Sequence, residues 1–405
     1  MGIQNSLSAT AAVAVSLLAV ASLGASCGDL AAATSTTDRT RVVLEGTPSL
    51  LSLDGSAGQD LAVPIPATGR YRVTITGEAA GEATVWVEDY IENKDGRTYD
   101  ITGRLSLKGS GEVSVDGSPL QAGDHKMRVH SDVPLEVASI HFERIRGHVD
   151  TPLVLQQETA GDGPWKVEWA DEFDGTGLPD PDKWTHDLGN WGWGNREPQY
   201  YTDGETSNAR QEDGHLIIEA RPNDRGHAWT SARLTTRGKV SFLYGRIEIR
   251  AKVPVVDGTW AAGWLLGDDY RDEISWPYCG EIDVMEAVGK EIDDATGDGI
   301  NHGSCHTRAF YFKQGNHISE TLEVKNMEDA FHDYAVEWTP TEVRLYLDGE
   351  HYYTYDQHGT PEAWPFNGPQ NLILNLAMGG GMGGDIAPNA GAQKVVVDYV
   401  RVLSR

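Results

Sequence analysis

Between Arg41 and about Gly147, apolar and polar positions alternate in the short runs YRVTITG, ATVWVEDY, RLSLKG, EVSVDG, HKMRVH and LEVASIHFERI, with Gly and Asp between them. A period of two puts every second side chain on one face, the signature of half-buried strands. Residues 41–147 are therefore predicted to form a small β-sandwich. HVDTPLVLQQETAGDGPW follows, rich in Pro, Gly and polar residues, and predicts a linker over residues 148–164. From Trp165 to Arg405 alternation resumes in GHLIIEARP, SARLTTRGKVSF, YGRIEIRAKVP, GEIDVMEAV, HDYAVEWTP, EVRLYLDG, QNLILNLAM and QKVVVDYVRVL, with one short helical candidate around Asn326 to Ala330. So many strands without a fixed repeat predict an all-β chain. Its larger unit, residues 165–405, is expected to be a jelly roll of two packed antiparallel sheets.

The first 33 residues follow another logic. Ala11 to Ala25 is apolar but too short to span a bilayer, and small residues follow it, so residues 1–33 are expected to be a signal peptide and the protein exported: secreted, periplasmic or at the cell surface. MGIQNSLSAT carries no Lys or Arg to orient that signal. GASC, ending at Cys27, also permits a lipid anchor on the thiol, although Gly24 stands where such signals usually carry Leu.

Charge narrows the partners. Against 33 basic residues stand 61 acidic ones, a net charge of −28 over 405 residues. Repulsion then disfavours nucleic acid and anionic membranes and, more weakly, sulfated glycans, while neutral ligands carry no penalty. A monomer is expected. Only Cys279 and Cys305 remain after the signal, too few for a disulfide framework. Strand alternation puts Cys279 with Glu281 and turns Cys305 away from His306, which argues against a bridge.

WPYCGEIDVMEAVG, Trp276 to Gly289, holds the candidate chemistry: Glu281, Asp283 and Glu286 in a run otherwise suited to a buried strand. Glu281 and Asp283 share a face, whereas strict alternation sends Glu286 to the other. A β-bulge near Met285 restores it. Two glutamates on one face of a cleft suit glycosidic hydrolysis, with retention of configuration when their carboxyls lie ~5–5.5 Å apart. Asp283 would raise a neighbouring carboxyl through like charge or share its proton. A solvated acidic stripe or a calcium site would use the same oxygens. Two catalytic carboxylates also separate an enzyme from a binding protein with an inert site, because a binder gains nothing from desolvating them.

These residues resemble glycoside hydrolase family 16, whose bulged signature E-x-D-x-x-E matches Glu281, Asp283 and Glu286. The likeness extends over WADEFDG, GNWGWGNREPQYYT, SARLTTRGK, YGRIEIRAKVP, GTWAAGWLLG, AVEWTP, LILNLAMGG and VDYVRV, that is, Trp165 to Arg405. It implies a concanavalin-like jelly roll and a retaining endo-acting glycosidase of the laminarinase group, needing no cofactor for catalysis and taking a neutral polysaccharide. β-1,3-Glucan (laminarin) is expected; mixed-linkage glucan, agarose and carrageenan are the alternatives, as is a non-catalytic glycan-binding protein on the same fold. The resemblance casts Glu281 as nucleophile, Glu286 as acid/base and Asp283 as the assisting carboxylate. It places Trp260, Trp264 and Trp276 against sugar faces, makes Asn195, Arg233 and His306 polar sugar contacts, and implies a structural calcium held by Glu172, the Gly214 carbonyl and Asp398. Arg196 and Pro198 depart from the usual GNNELQYYT, with changed remote sugar sites expected. Ala261 and Gly263 replace the Pro and Phe of GxWPAFW, and a wider cleft wall is expected there. In the amino-terminal unit, Trp86, Tyr90, Asp95, Arg97 and Tyr99 surround a loop where a sugar could stack, with core packing or a spacer role as the alternative.

Overall fold

The computed structural model describes residues 34–37, 40–90, 98–159 and 163–405. Residues 1–33, the expected signal peptide, with Cys27, and also Asp95 and Arg97 lie outside the described residues.

The chain is almost entirely β. The runs read separately as YRVTITG and ATVWVEDY form one strand of 22 residues, Gly69–Tyr90. RLSLKG and EVSVDG likewise join into Leu105–Leu120, which pairs along the first strand through two irregularities. Glycine inside a strand marks a bend here rather than an end. The first half of Gly69–Tyr90 also pairs with Pro134–Gly147 and its second half with Gly123–Ser131, so one bent strand serves both sides of a core built on Val73, Val85, Leu107, Val129 and Ile140.

The predicted linker is only partly one. Val154–Gln156 pairs in parallel with Ser241–Leu243 and joins the sheet of the larger unit. Backbone donors at Ser241 and Gln157 extend that pairing on both sides. Apolar Val154 and Leu155 supply a short strand that the Pro and Gly around them obscure.

The larger unit is the expected jelly roll. One sheet carries, in order, Ser241–Leu243, Gln370–Met378, Thr259–Gly267, Glu281–Val288, Gly299–His306 and Ile318–Val324; the other includes His215–Asp224, Gln393–Ser404, Gly245–Lys252 and His332–Trp338. Strands distant in sequence lie side by side, as in Greek-key connections. Between the sheets Ile247, Ile249, Val336 and Val397 meet Ala261, Leu265, Ile282 and Leu374 in one buried cluster. The expected helix at Asn326–Ala330 is a turn, because Asn326 adopts a left-handed φ of 52° that helical backbone excludes. The one α-helical piece among the described residues is Gly380–Gly383.

No helix among the described residues is long and apolar enough to cross a membrane. Cys279 and Cys305 are free and buried, one in the aromatic cluster under the cleft and the other in the inter-sheet core.

Candidate active site

The parity conflict in Glu281–Val288 is resolved by a bulge. Its ladder with Thr259–Gly267 runs Gly263 to Met285 and then Trp264 to Asp283, leaving Val284 as the extra residue. Val284 and Met285, adjacent in sequence, consequently both enter the inter-sheet core with Ile282 and Ala287. Glu281, Asp283 and Glu286 are left together on a cleft of about 480 Å³.

A bulge interrupts backbone pairing, and a side chain repairs it. Ladder bonding to Gly299–His306 covers Glu281, Ile282 and Asp283. Beyond it the fully buried Asn301 accepts from the Glu286 N–H at 3.0 Å and donates to the Val284 carbonyl at 3.3 Å, while the Tyr352 hydroxyl lies 3.1 Å from the same amide nitrogen. The amide thus takes the place of the missing ladder bonds, since buried peptide groups must find partners.

Each glutamate has its own indole donor. Trp260 Nε1 donates to Glu286 at 2.9 Å, and Trp276 Nε1 to Glu281 at 3.1 Å. Ser304 donates to Asp283 at 2.6 Å. His306 Nε2 lies 3.2 Å from Asp283 and 3.8 Å from Glu281. Burial, and then the Asp283 charge, push the Glu281 and Glu286 carboxyls up to about 8. Burial alone would lower His306, but its hydrogen bond to Asp283 and the three surrounding carboxylates raise it to about 9. Three acids and one imidazolium hence share a poorly solvated site.

All six sugar-contact candidates, Trp260, Trp264, Trp276, His306, Asn195 and Arg233, border this cleft. They differ in what they can offer. Trp276 is 8% exposed and packed by Tyr311 and Phe312, so it chiefly holds Glu281. Trp264 donates to Asn375 at 2.8 Å and lies under the Arg233 guanidinium. Glu197 was not among the candidates, yet it lines the cleft. It accepts from Gln199 at 2.6 Å and Asn195 at 3.2 Å, and burial raises it to about 7. It is the sole acid within GNWGWGNREPQYYT, a signal legible beforehand. Asn301 had no such signal.

The expected widening at Ala261 and Gly263 is overturned. Alternation places Trp260, Ala262 and Trp264 on the cleft, while Ala261 belongs to the core and a Cβ at Gly263 would meet Ile249 at 2.8 Å. Those two substitutions act on inter-sheet packing instead. Arg196 and Pro198 are both exposed and border the cleft at neither position.

The proposed calcium donors do not fit a cation. Both oxygens of Glu172 are taken by Arg401 at 2.8 Å, and Asp398 pairs with Arg250 at 3.1 Å, while Gly214 occupies a left-handed turn. Guanidinium groups already neutralise the carboxylates a hard ion would need.

The amino-terminal aromatic cluster is similarly occupied. Trp86 stacks on His130 at 4.9 Å and carries the Arg104 guanidinium at 3.8 Å, Tyr90 lies beneath Arg128, and Tyr99 is 4% exposed.

A family model described as glycosyl hydrolases family 16 matches residues 196–401. A β-glucanase of Rhodothermus marinus is 46% identical over 248 residues, covering 59% of this chain and 85% of that protein. The solved laminarinase from Rhodothermus marinus aligns with a TM-score of 0.56 at 44% identity, over 60% of this chain and 98% of its own. For the endo-β-1,3-glucanase of Pyrococcus furiosus the TM-score is 0.53 at 35% identity, over 59% and 94% of the two chains.

Proposed function

The chain belongs to glycosyl hydrolases family 16 and is a glycoside hydrolase, and from that premise we propose that it cleaves internal linkages of β-1,3-glucan with retention of anomeric configuration. The observation that carries this reading is the placement of Glu281 and Glu286 on one cleft face, each with a separate indole N–H.

Glu281 attacks the anomeric carbon as a carboxylate while Glu286 delivers its proton to the departing glycosidic oxygen. In the second step Glu286 takes a proton from water, the water oxygen bonds to the anomeric carbon, and the bond to Glu281 breaks. One carboxyl must be ionised and its partner protonated, and two carboxyls both pushed up to about 8 around a third acid favour retention of a proton on the pair at neutral pH. The His306 cation, 3.8 Å from Glu281, supports Glu281 as the ionised member. Asp283 is the positioning acid that holds this cation. Trp260 supplies flat apolar surface to a pyranose face, while Asn195 and Arg233, the latter seated on Trp264, supply donors to sugar hydroxyls.

Glu281→Ala is expected to abolish reducing-end release from laminarin and leave binding measurable; activity surviving the change would refute the assignment. A panel of laminarin, lichenan, agarose and carrageenan separates β-1,3-glucan from the other glycans. For location, the apolar Ala11–Ala25 run supports export, and sequencing the mature amino terminus tests it.

A further inference from the structure

The amino-terminal unit does not hang from a tether. Residues 117 and 189, one from each unit, are glycines packed backbone to backbone: a Cβ on Gly117 would lie 2.3 Å from the Leu188 carbonyl, and one on Gly189 2.2 Å from that of Asp116. Asn190 clasps the Asp116 backbone with two hydrogen bonds of 3.0 Å. Trp191 and Trp193, which line the cleft, belong to the hydrophobic cluster of the amino-terminal unit.

At this seam Arg70, 13% exposed, reaches Asp187 at 3.3 Å and lies over the rings of Trp193 and Tyr270 at 5.5 and 5.9 Å. Asp187 divides its two oxygens. Oδ1 takes Arg70 Nη2, and Oδ2 takes Arg233 Nε at 3.1 Å. The Arg233 guanidinium is thereby held between the rings of Trp193 and Trp264, 4.8 Å from each, on the cleft wall. Without Arg70, Asp187 is free to take the bidentate fork that carboxylates prefer on arginine, which draws Arg233 out of its slot.

We infer that Arg70, from the amino-terminal unit, is a positioning residue of the glycan cleft, fixing Arg233 through Asp187 so that both units together form the sugar-binding surface. The inference rests on the cleft being the β-1,3-glucan site.

It is tested in the full chain with Arg70→Met, Arg233→Met and the double variant, measuring KM and kcat on laminarin. Arg70→Met is expected to raise KM about tenfold, the size of one lost charge-assisted hydrogen bond, with kcat within about twofold. In the Arg233→Met background the same change should leave KM unaltered, because the two act as one unit. Asp187→Asn, which keeps the shape and removes the charge, should raise KM likewise and serves if Arg70→Met fails to fold. Arg70→Lys, retaining the charge toward Asp187, should recover part of the loss. An unchanged KM in Arg70→Met, or an equal rise with and without Arg233, overturns the inference. Wild-type turnover of laminarin and its loss in Glu281→Gln check the underlying site separately.

Discussion

At the scale of single residues the cleft stores unfavourable energy that chemistry needs. The Glu286 carboxyl is held at about 8 in the folded chain, against the ordinary glutamate value of 4.5. A folded value above the unfolded one means that its contribution to stability is fully present below pH 4.5 and is lost as pH rises through about 8. Glu286→Gln cannot ionise and avoids that loss, so it should be inactive yet more stable than wild type by about 1–2 kcal/mol at neutral pH. Thermal melts from pH 5 to pH 8 check this: the gap should widen with pH, and a constant or shrinking gap would count against a strained carboxyl. Trp260→Phe removes the 2.9 Å donor that favours the Glu286 carboxylate. It should move the alkaline limb of the kcat/KM profile to higher pH and lower the rate about tenfold. The acidic triad was legible in the sequence because glutamates within an apolar run violate alternation. The indole donors were legible only as aromatics, since their N–H directions depend on strands paired far along the chain.

At the scale of elements the decisive feature is the bulge at Val284. Asn301 closes it with an amide, so Asn301→Ala leaves a peptide donor and a peptide acceptor unpaired in a buried place. A loss of about 2–3 kcal/mol and a fall in kcat are expected, the latter because Glu286 no longer has a fixed backbone. Denaturant titration and steady-state kinetics on the same preparation check both. The need for a bulge was readable from the count between Glu281 and Glu286. Its partner was not, for Asn301 sits 15 residues beyond Glu286 in a strand whose pattern makes no demand on that position. Alternation also corrects the expectation at Ala261 and Gly263, which face Ile249 and the core. The missed strand at Val154–Gln156 and the absent helix at Asn326–Ala330 share one cause. Pairing with a distant strand and a left-handed asparagine outweigh local composition in segments this short.

At the scale of the molecule the two units read as separate in the sequence, but the seam packs them as one body. Its bonds, Arg70–Asp187 and Asn190 with Asp116, join positions 117 and 74 residues apart, a relation no local pattern encodes. A single calorimetric transition is expected for the intact chain, in place of two. Gly117→Ala puts a methyl 2.3 Å from the Leu188 carbonyl and should split that transition or lower its midpoint by several degrees. The measurement that bears most directly on the whole account is proton NMR of laminarin hydrolysis, following the anomeric signal of the first product before mutarotation. Glu281 acting as nucleophile and Glu286 as acid/base predicts that the β-anomer appears first. First appearance of the α-anomer would contradict the double displacement, and with it the roles given to both glutamates.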